Sequence, residues 1–199
     1  TDMHVKKAAI DALSHLAATS EFDEEILEEY RKLVRKYGEI TGKIDKLNRD
    51  YQRTAISNVD YSYWINITNE DMAAVENAIT KTVEKQIKKY GYLREDGSLV
   101  NESVCITDMK EQMDELKGEW INERMSLEEY DLRLDFIRVI LLYLVAQRRC
   151  GTYEDIEFLE ASKPGTGLVI GSFQRKLDER KNEFVDSGNP GLIRRSGIH

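Results

Sequence analysis

Ile26, Tyr30, Leu33, Tyr37, Ile40, Ile44, Leu47 and Tyr51 recur at spacings of 4, 3, 4, 3, 4, 3 and 4. A mean step of 3.5 residues keeps all eight side chains on one stripe of an α-helix, and it favours a left-handed supercoil about a partner helix. Charged residues fill many of the positions between them, so the stripe is a packing seam on an otherwise solvated helix. Gly38 and Gly42 interrupt the helix, each weakening it by about 1 kcal/mol relative to alanine. Four residues apart, they share a face and either admit a close neighbour or mark a bend. The eight seam residues are the expected partner-binding surface. Their partner is either the same chain's 72–90 helix folded back or another subunit.

The remaining pattern is helical as well, and it predicts an all-α bundle. Only two prolines occur, Pro164 and Pro190, so nothing breaks a helix before 164. Residues 2–18 form a short amphipathic helix. Ser20, with Asp23 three residues on, caps the heptad helix over about 20–53. Residues 54–66 lose the pattern and read as a loop anchored by Tyr61, Tyr63 and Trp64. Thr68 or Asn69 then caps a helix whose stripe is Met72, Val75, Ile79, Val83, Ile87 and Tyr90, stopping at Gly91. Asp96-Gly97 makes 92–100 the one candidate for a short β-hairpin.

A helix over 107–123 follows, on Ile106, Met109, Met113, Leu116 and Trp120. Ser126 and Glu129 form a capping box for the helix over 127–148. That helix carries two apolar stripes and is therefore the expected core element. Thr152 caps a short helix through Ala161, residues 164–167 turn, and a last helix spans 172–185. Residues 187–199 hold Gly, Pro190, Arg194 and Arg195 without helical pattern. They read as an extended tail whose arginines contact a neighbour. One helical domain over 1–186 is expected, with 20–56 as a coiled-coil arm or helical hairpin, followed by the tail over 187–199.

Charge narrows the function classes. The net charge of −8 argues against nonspecific affinity for nucleic acid or anionic membrane. The distribution is uneven: 21–30 holds six acids and no base, whereas 31–53 holds eight bases and three acids, a net of +5. That run (Arg31, Lys32, Arg35, Lys36, Lys43, Lys46, Arg49, Arg53) flanks the seam and selects a partner, or else tracks a phosphate backbone. The longest apolar stretch, 139–146, is too short to span a bilayer. Two cysteines without CxxC spacing point to reduced thiols and a cytoplasmic setting.

Sites of chemistry are sparse. Glu25 and Glu28 form an ExxE, and Glu128 and Asp131 an ExxD with Asp135 one turn further; four such carboxylates hold Mg²⁺ when they face one another. All-α nucleotide pyrophosphohydrolases use an ExxE followed by an ExxD. Here the two elements lie about 100 residues apart, and first-turn capping already explains the acids. Asp135 and Arg138 can pair on one helical face. Gly165-Thr166-Gly167 lacks the Lys-Ser or Lys-Thr of a phosphate-binding loop. Cys150 has Arg148 and Arg149 beside it and a helix start after it, features that lower a thiol pKa, while Cys105 reads as buried and inert.

No metal or organic cofactor is expected. The expected function is that of a non-enzymatic helical assembly protein, a subunit of a larger complex that binds other protein subunits through the seam and the tail. Small helical subunits with extended tails suit particles such as phage connectors, an analogy of architecture alone. A Mg-dependent phosphohydrolase and a nucleic-acid-associated protein are the alternatives.

Replacing both Ile40 and Ile44 with aspartate is expected to lower helicity and melting temperature together, because each large seam side chain gains about 1.5–3 kcal/mol on full burial. Wild-type values of mass, helicity and melting temperature in the double variant would overturn the seam as a packing surface.

Overall fold

A computed structural model describes residues 22–122, 124–162, 166 and 168–187. Among these residues there are six α-helices and no strand, so the chain is all-α. The expected 2–18 helix, the tail with Arg194 and Arg195, and most of the 164–167 turn lie outside the described residues.

Helix α1 is Glu24–Gln52. Asp23 caps it, its carboxylate accepting from the N–H groups of Glu25 (2.9 Å) and Ile26 (3.3 Å). The helix runs straight through both glycines. Nothing lies within 4 Å of a Cβ built at Gly38 or Gly42, so no close neighbour requires them. The chain turns at Thr54, which holds a left-handed φ of 55°.

Helix α2 is Asn58–Lys89, and it corrects the expected 54–66 loop. Ser57, rather than Thr68 or Asn69, caps it by accepting from the Asp60 N–H at 3.1 Å. No Pro or Gly occurs between 54 and 90. The inward stripe begins a full three turns earlier than expected, at Tyr61, and continues through Ile65 and the buried Thr68 to Met72.

The two helices are antiparallel. Lys89 meets Asp23 (3.4 Å) and Lys85 meets Glu29 (3.1 Å) at one end. At the other end Tyr61 stacks on Tyr51 (4.3 Å) and donates to Asn48 Oδ1 (2.7 Å). The seam residues therefore turn towards α2 and the body. Ile26, Tyr30 and Ile40 are buried, Leu33, Tyr37, Ile44 and Leu47 are half-buried, and Tyr51 is exposed with Tyr61 stacked on it.

Past Gly91 the chain makes a single antiparallel bridge, Leu93 to Leu99, around the Asp96-Gly97 turn. This is less than the candidate hairpin. The Arg94 guanidinium takes the Leu99 (2.7 Å) and Val100 (3.0 Å) carbonyls, and the Tyr92 N–H goes to the Ile87 carbonyl (3.1 Å), so the ladder does not extend. Helix α3, Glu102–Ile121, starts five residues before the expected 107 because Asn101 caps it through the Val104 N–H (3.1 Å).

Helix α4 is Leu127–Leu142, capped by Ser126 through the Glu129 N–H (3.2 Å). The expected box stays half-made, since the Glu129 carboxylate turns to Arg31 and Arg133. A π-helical turn, Tyr143–Gln147, extends α4, with Arg148 N–H reaching back five residues to Tyr143. Every residue from Phe136 to Ala146 is buried, whereas Leu127 is exposed. Helices α5, Tyr153–Ala161, and α6, Gly171–Asp186, close the bundle, with Phe173 and Leu177 buried.

Two buried arginines finish the helix ends. Arg180 donates to the carbonyls of Val145 (2.9 Å), Cys150 and Gly151 (2.7 Å). Arg138 donates to those of Leu159 (3.0 Å) and Ser162 (2.9 Å). In each case a cation satisfies the orphan carbonyls at a helix C-terminus. Among the described residues, the Tyr30 hydroxyl, the Gln86 amide and Gln147 Oε1 are buried with no hydrogen-bond partner.

Gly38→Ala and Gly42→Ala are each expected to stabilise the fold by about 1 kcal/mol, because both sit in open, regular helix. Thermal unfolding measures this, and a fall in melting temperature in either variant would show a contact that the glycine serves.

Candidate functional site

The hairpin of α1 and α2 outlasts the body it packs on. Its last ties to the body are the Tyr37 hydroxyl on the Val169 carbonyl (2.8 Å) and Glu76 on the Gly171 N–H (3.0 Å). Beyond Ile40 on α1 and before Val75 on α2, only Thr68 is fully buried. This outer half is a two-helix arm. Its inward residues face the other helix of the hairpin, the same-chain member of the two partners expected for the seam.

Two other surfaces of the arm are open. At its end, Val59, Tyr63 and Trp64 are 78%, 59% and 51% exposed, and Tyr63 and Trp64 pack edge to face at 5.2 Å. Tyr63 and Trp64 anchor no loop; they stand on the first turns of α2 between the inward positions Tyr61, Ile65 and Thr68. Their offset from those positions is the signal that marks them once the helix start at Ser57 is seen.

The second surface is basic. At 100° per residue, Lys32, Arg35, Lys36, Lys43, Lys46, Arg49 and Arg53 fall within an arc of about 140°, away from the seam and about 30 Å long. Among the described residues none of these seven makes an ion pair. Arg31 differs: it binds Glu28 (3.0 Å) and Glu129 (2.9 Å) where α1 crosses α4.

That crossing decides the geometry of the carboxylates. The fold does bring the first turns of α1 and α4 together, as a metal site would need. Arginines, however, fill the space between them. Arg133 binds Glu129 (2.8 Å) and Glu24 (3.2 Å), completing a chain of Glu24, Arg133, Glu129, Arg31 and Glu28. Burial alone would raise the Glu129 carboxyl, but the two guanidiniums outweigh it and hold it below its ordinary value. Among the described residues no group of three or more His, Cys, Asp or Glu side chains is placed to hold a metal ion.

The other candidates resolve into structural roles. Buried Asp135 accepts from the Thr166 N–H (2.8 Å) and hydroxyl, while Arg138 turns to the end of α5. Both cysteines are buried. Burial pushes the Cys105 thiol up to about 11 and the Cys150 thiol up to about 12, so the arginines beside Cys150 do not activate it. No helix among the described residues is long and apolar enough to cross a membrane.

On the body, an open groove of about 360 Å³ runs between α3, α4 and α5, with Met113, Tyr130, Leu134 and Phe158 along it and Asp114 and Lys117 at its edge. A buried polar relay lies nearer the start of α3. Tyr92 donates to Asp108, Gln112 Nε2 donates to the same carboxylate (3.0 Å), and Tyr90 donates to Gln112 Oε1 (3.0 Å). Burial raises the Asp108 carboxyl, only partly countered by these bonds.

Because the folded-state pKa of Asp108 is raised, protonation favours the folded state. Its stability contribution therefore grows as pH falls from neutral through the raised pKa towards the ordinary value of 3.8. Asp108→Asn copies the neutral form. It is expected to match or exceed wild-type stability at neutral pH, with the advantage shrinking on acidification through that window. Asp108→Ala strands both donors and is expected to cost about 1–3 kcal/mol. Urea titrations across pH measure both; an Asn variant less stable than wild type at neutral pH would show that the charge is stabilising.

Compared with protein-family models, with curated proteins and with solved structures, this chain has no match.

Proposed function

We propose that this protein is a non-enzymatic helical interaction protein, a subunit of a larger complex, and that its two-helix arm is the part that engages the partner. The observation that carries this reading is the exposure of Val59, Tyr63 and Trp64 on a helix whose inward stripe is already filled. Each large side chain left in water forgoes about 1.5–3 kcal/mol of burial. Nothing in the hairpin gains from keeping them outward.

Trp and Tyr are also the residue types that concentrate binding energy at interfaces, since they bury a large rigid area with few rotatable bonds. The unpaired cations of α1 add long-range steering towards an acidic partner. Occupied within the chain, the seam holds the arm rigid before any partner arrives.

Tagged wild type and a Tyr63→Ser/Trp64→Ser variant, recovered in parallel from source cells and matched in helicity, test this reading. Quantitative mass spectrometry is expected to find a stoichiometric protein partner, untagged copies of the chain included, that is depleted about tenfold or more in the variant. Identical recovery with both would overturn the arm as the binding element.

A further inference from the structure

We infer that the arm's partner is a second copy of this chain, with the arm end of one molecule seated in the α3–α4–α5 groove of the next. This deepens the reading above and rests on it.

Two properties of the groove match the arm. The first is apolar. Met113, Tyr130, Leu134 and Phe158 line an open trough large enough for aromatic rings, and Tyr63 and Trp64 are such rings on a fixed helical turn. The second is electrostatic. Glu111, Asp114, Glu115 and Glu119 are exposed on α3; of these Asp114 lines the groove, together with Lys117, and the other three stand on the outer face of the same helix. At 100° per residue these four acids fall in an arc of about 140°, and Glu111 to Glu119 spans about 12 Å. On the arm, Lys43 to Arg53 spans about 15 Å on one face.

Both rows are unpaired within the chain among the described residues. A row of cations ending in exposed aromatics is thus the counterpart of a row of acids beside an apolar trough. Since 31–53 carries +5 in a chain of −8, the rest of the molecule is strongly acidic. The oppositely charged surface nearest to hand for α1 is another molecule of the same protein.

Arm and groove are different surfaces, so the contact is heterologous. Each molecule offers one of each, and association continues past the dimer into a ring or an open chain. Like-charge replacement on either row blocks it, and matched replacement on both restores it.

Sedimentation velocity on the full chain, over a range of concentrations at low and high ionic strength, reads the outcome. The wild type is expected to gain mass with concentration at low salt and lose it at high salt. Lys46→Glu/Arg49→Glu and Glu111→Lys/Glu115→Lys, all at exposed helical positions, are each expected to stay monomeric alone. Mixed, they are expected to associate, because the unaltered arm of one meets the unaltered groove of the other and the two reversed rows also attract. Circular dichroism confirms that both variants fold.

A wild type that stays monomeric throughout, or a mixture no heavier than its components, overturns the inference. So does tight binding of a labelled single-stranded oligonucleotide by a wild type that does not self-associate, which would assign the basic face to phosphate. If the wild type is monomeric yet Tyr63 and Trp64 still govern recovery of another protein from cells, self-docking fails and the arm remains the binding element.

Discussion

From Phe136 to Ala146 every residue is buried, so this helix has no solvated face and must be enclosed on all sides. The rest of the fold answers that requirement. Tyr30 and Phe22 stack on Phe136 from the α1 side, at 4.5 and 5.3 Å, and Phe173 of α6 packs on Tyr143 at 5.9 Å. Enclosure also removes the helix end from water, and its last carbonyls need donors. Arg180 supplies them from α6. Arg149 adopts a left-handed φ of 59° in the place where glycine usually closes a helix, and its guanidinium is held by Glu183. The position of α6 is therefore set by polar groups as much as by Phe173 and Leu177. A buried guanidinium is tolerated only where its donors are satisfied, and the three carbonyls it meets lie only at this helix end.

The arm is tied to this core in a different way. Its root combines the Tyr30–Phe136 stack with the alternating chain of acids and arginines from Glu24 to Glu28. The members of that chain are partly exposed, so its worth lies more in fixing the angle of α1 against α4 than in stability. Past Tyr37 and Glu76 the arm depends on its own seam. Isolated helices are marginal in water, so the outer halves of α1 and α2 depend on the side chains packed between them.

What was legible in the sequence follows the same division. Periodicity marked α1, α4 and the inward residues of α6, because each has one dominant apolar pattern. It misplaced the start of α2, where the inward stripe passes through Thr68 and the flanking aromatics point outward. There the polarity test and the burial outcome disagree, and only the cap at Ser57 and the lack of Gly or Pro reveal a helix. It also missed Asn101 as a cap. The π turn after Leu142 left no trace, since one extra residue per turn does not disturb a segment apolar on every side. For the site, spacing identified the seam but carries no information on whether the partner helix belongs to the same chain. The basic run was visible as composition; that seven of its members share an outward face became clear only with α1 fixed against α2.

An antiparallel helix pair needs inward apolar residues and outward polar ones, and nothing more. Val59, Tyr63 and Trp64 violate the second half of that rule. Serine or lysine at these positions would satisfy the hairpin equally and expose less apolar surface. Their identity is therefore set by something other than folding. The occupied seam bears on the same point. A lone heptad helix would have to order itself and find its partner in one step, losing conformational freedom as it bound. An arm already packed as a helix pair has met that cost during folding, so in the proposed interaction the aromatic rings on its end are presented in fixed positions before a partner arrives.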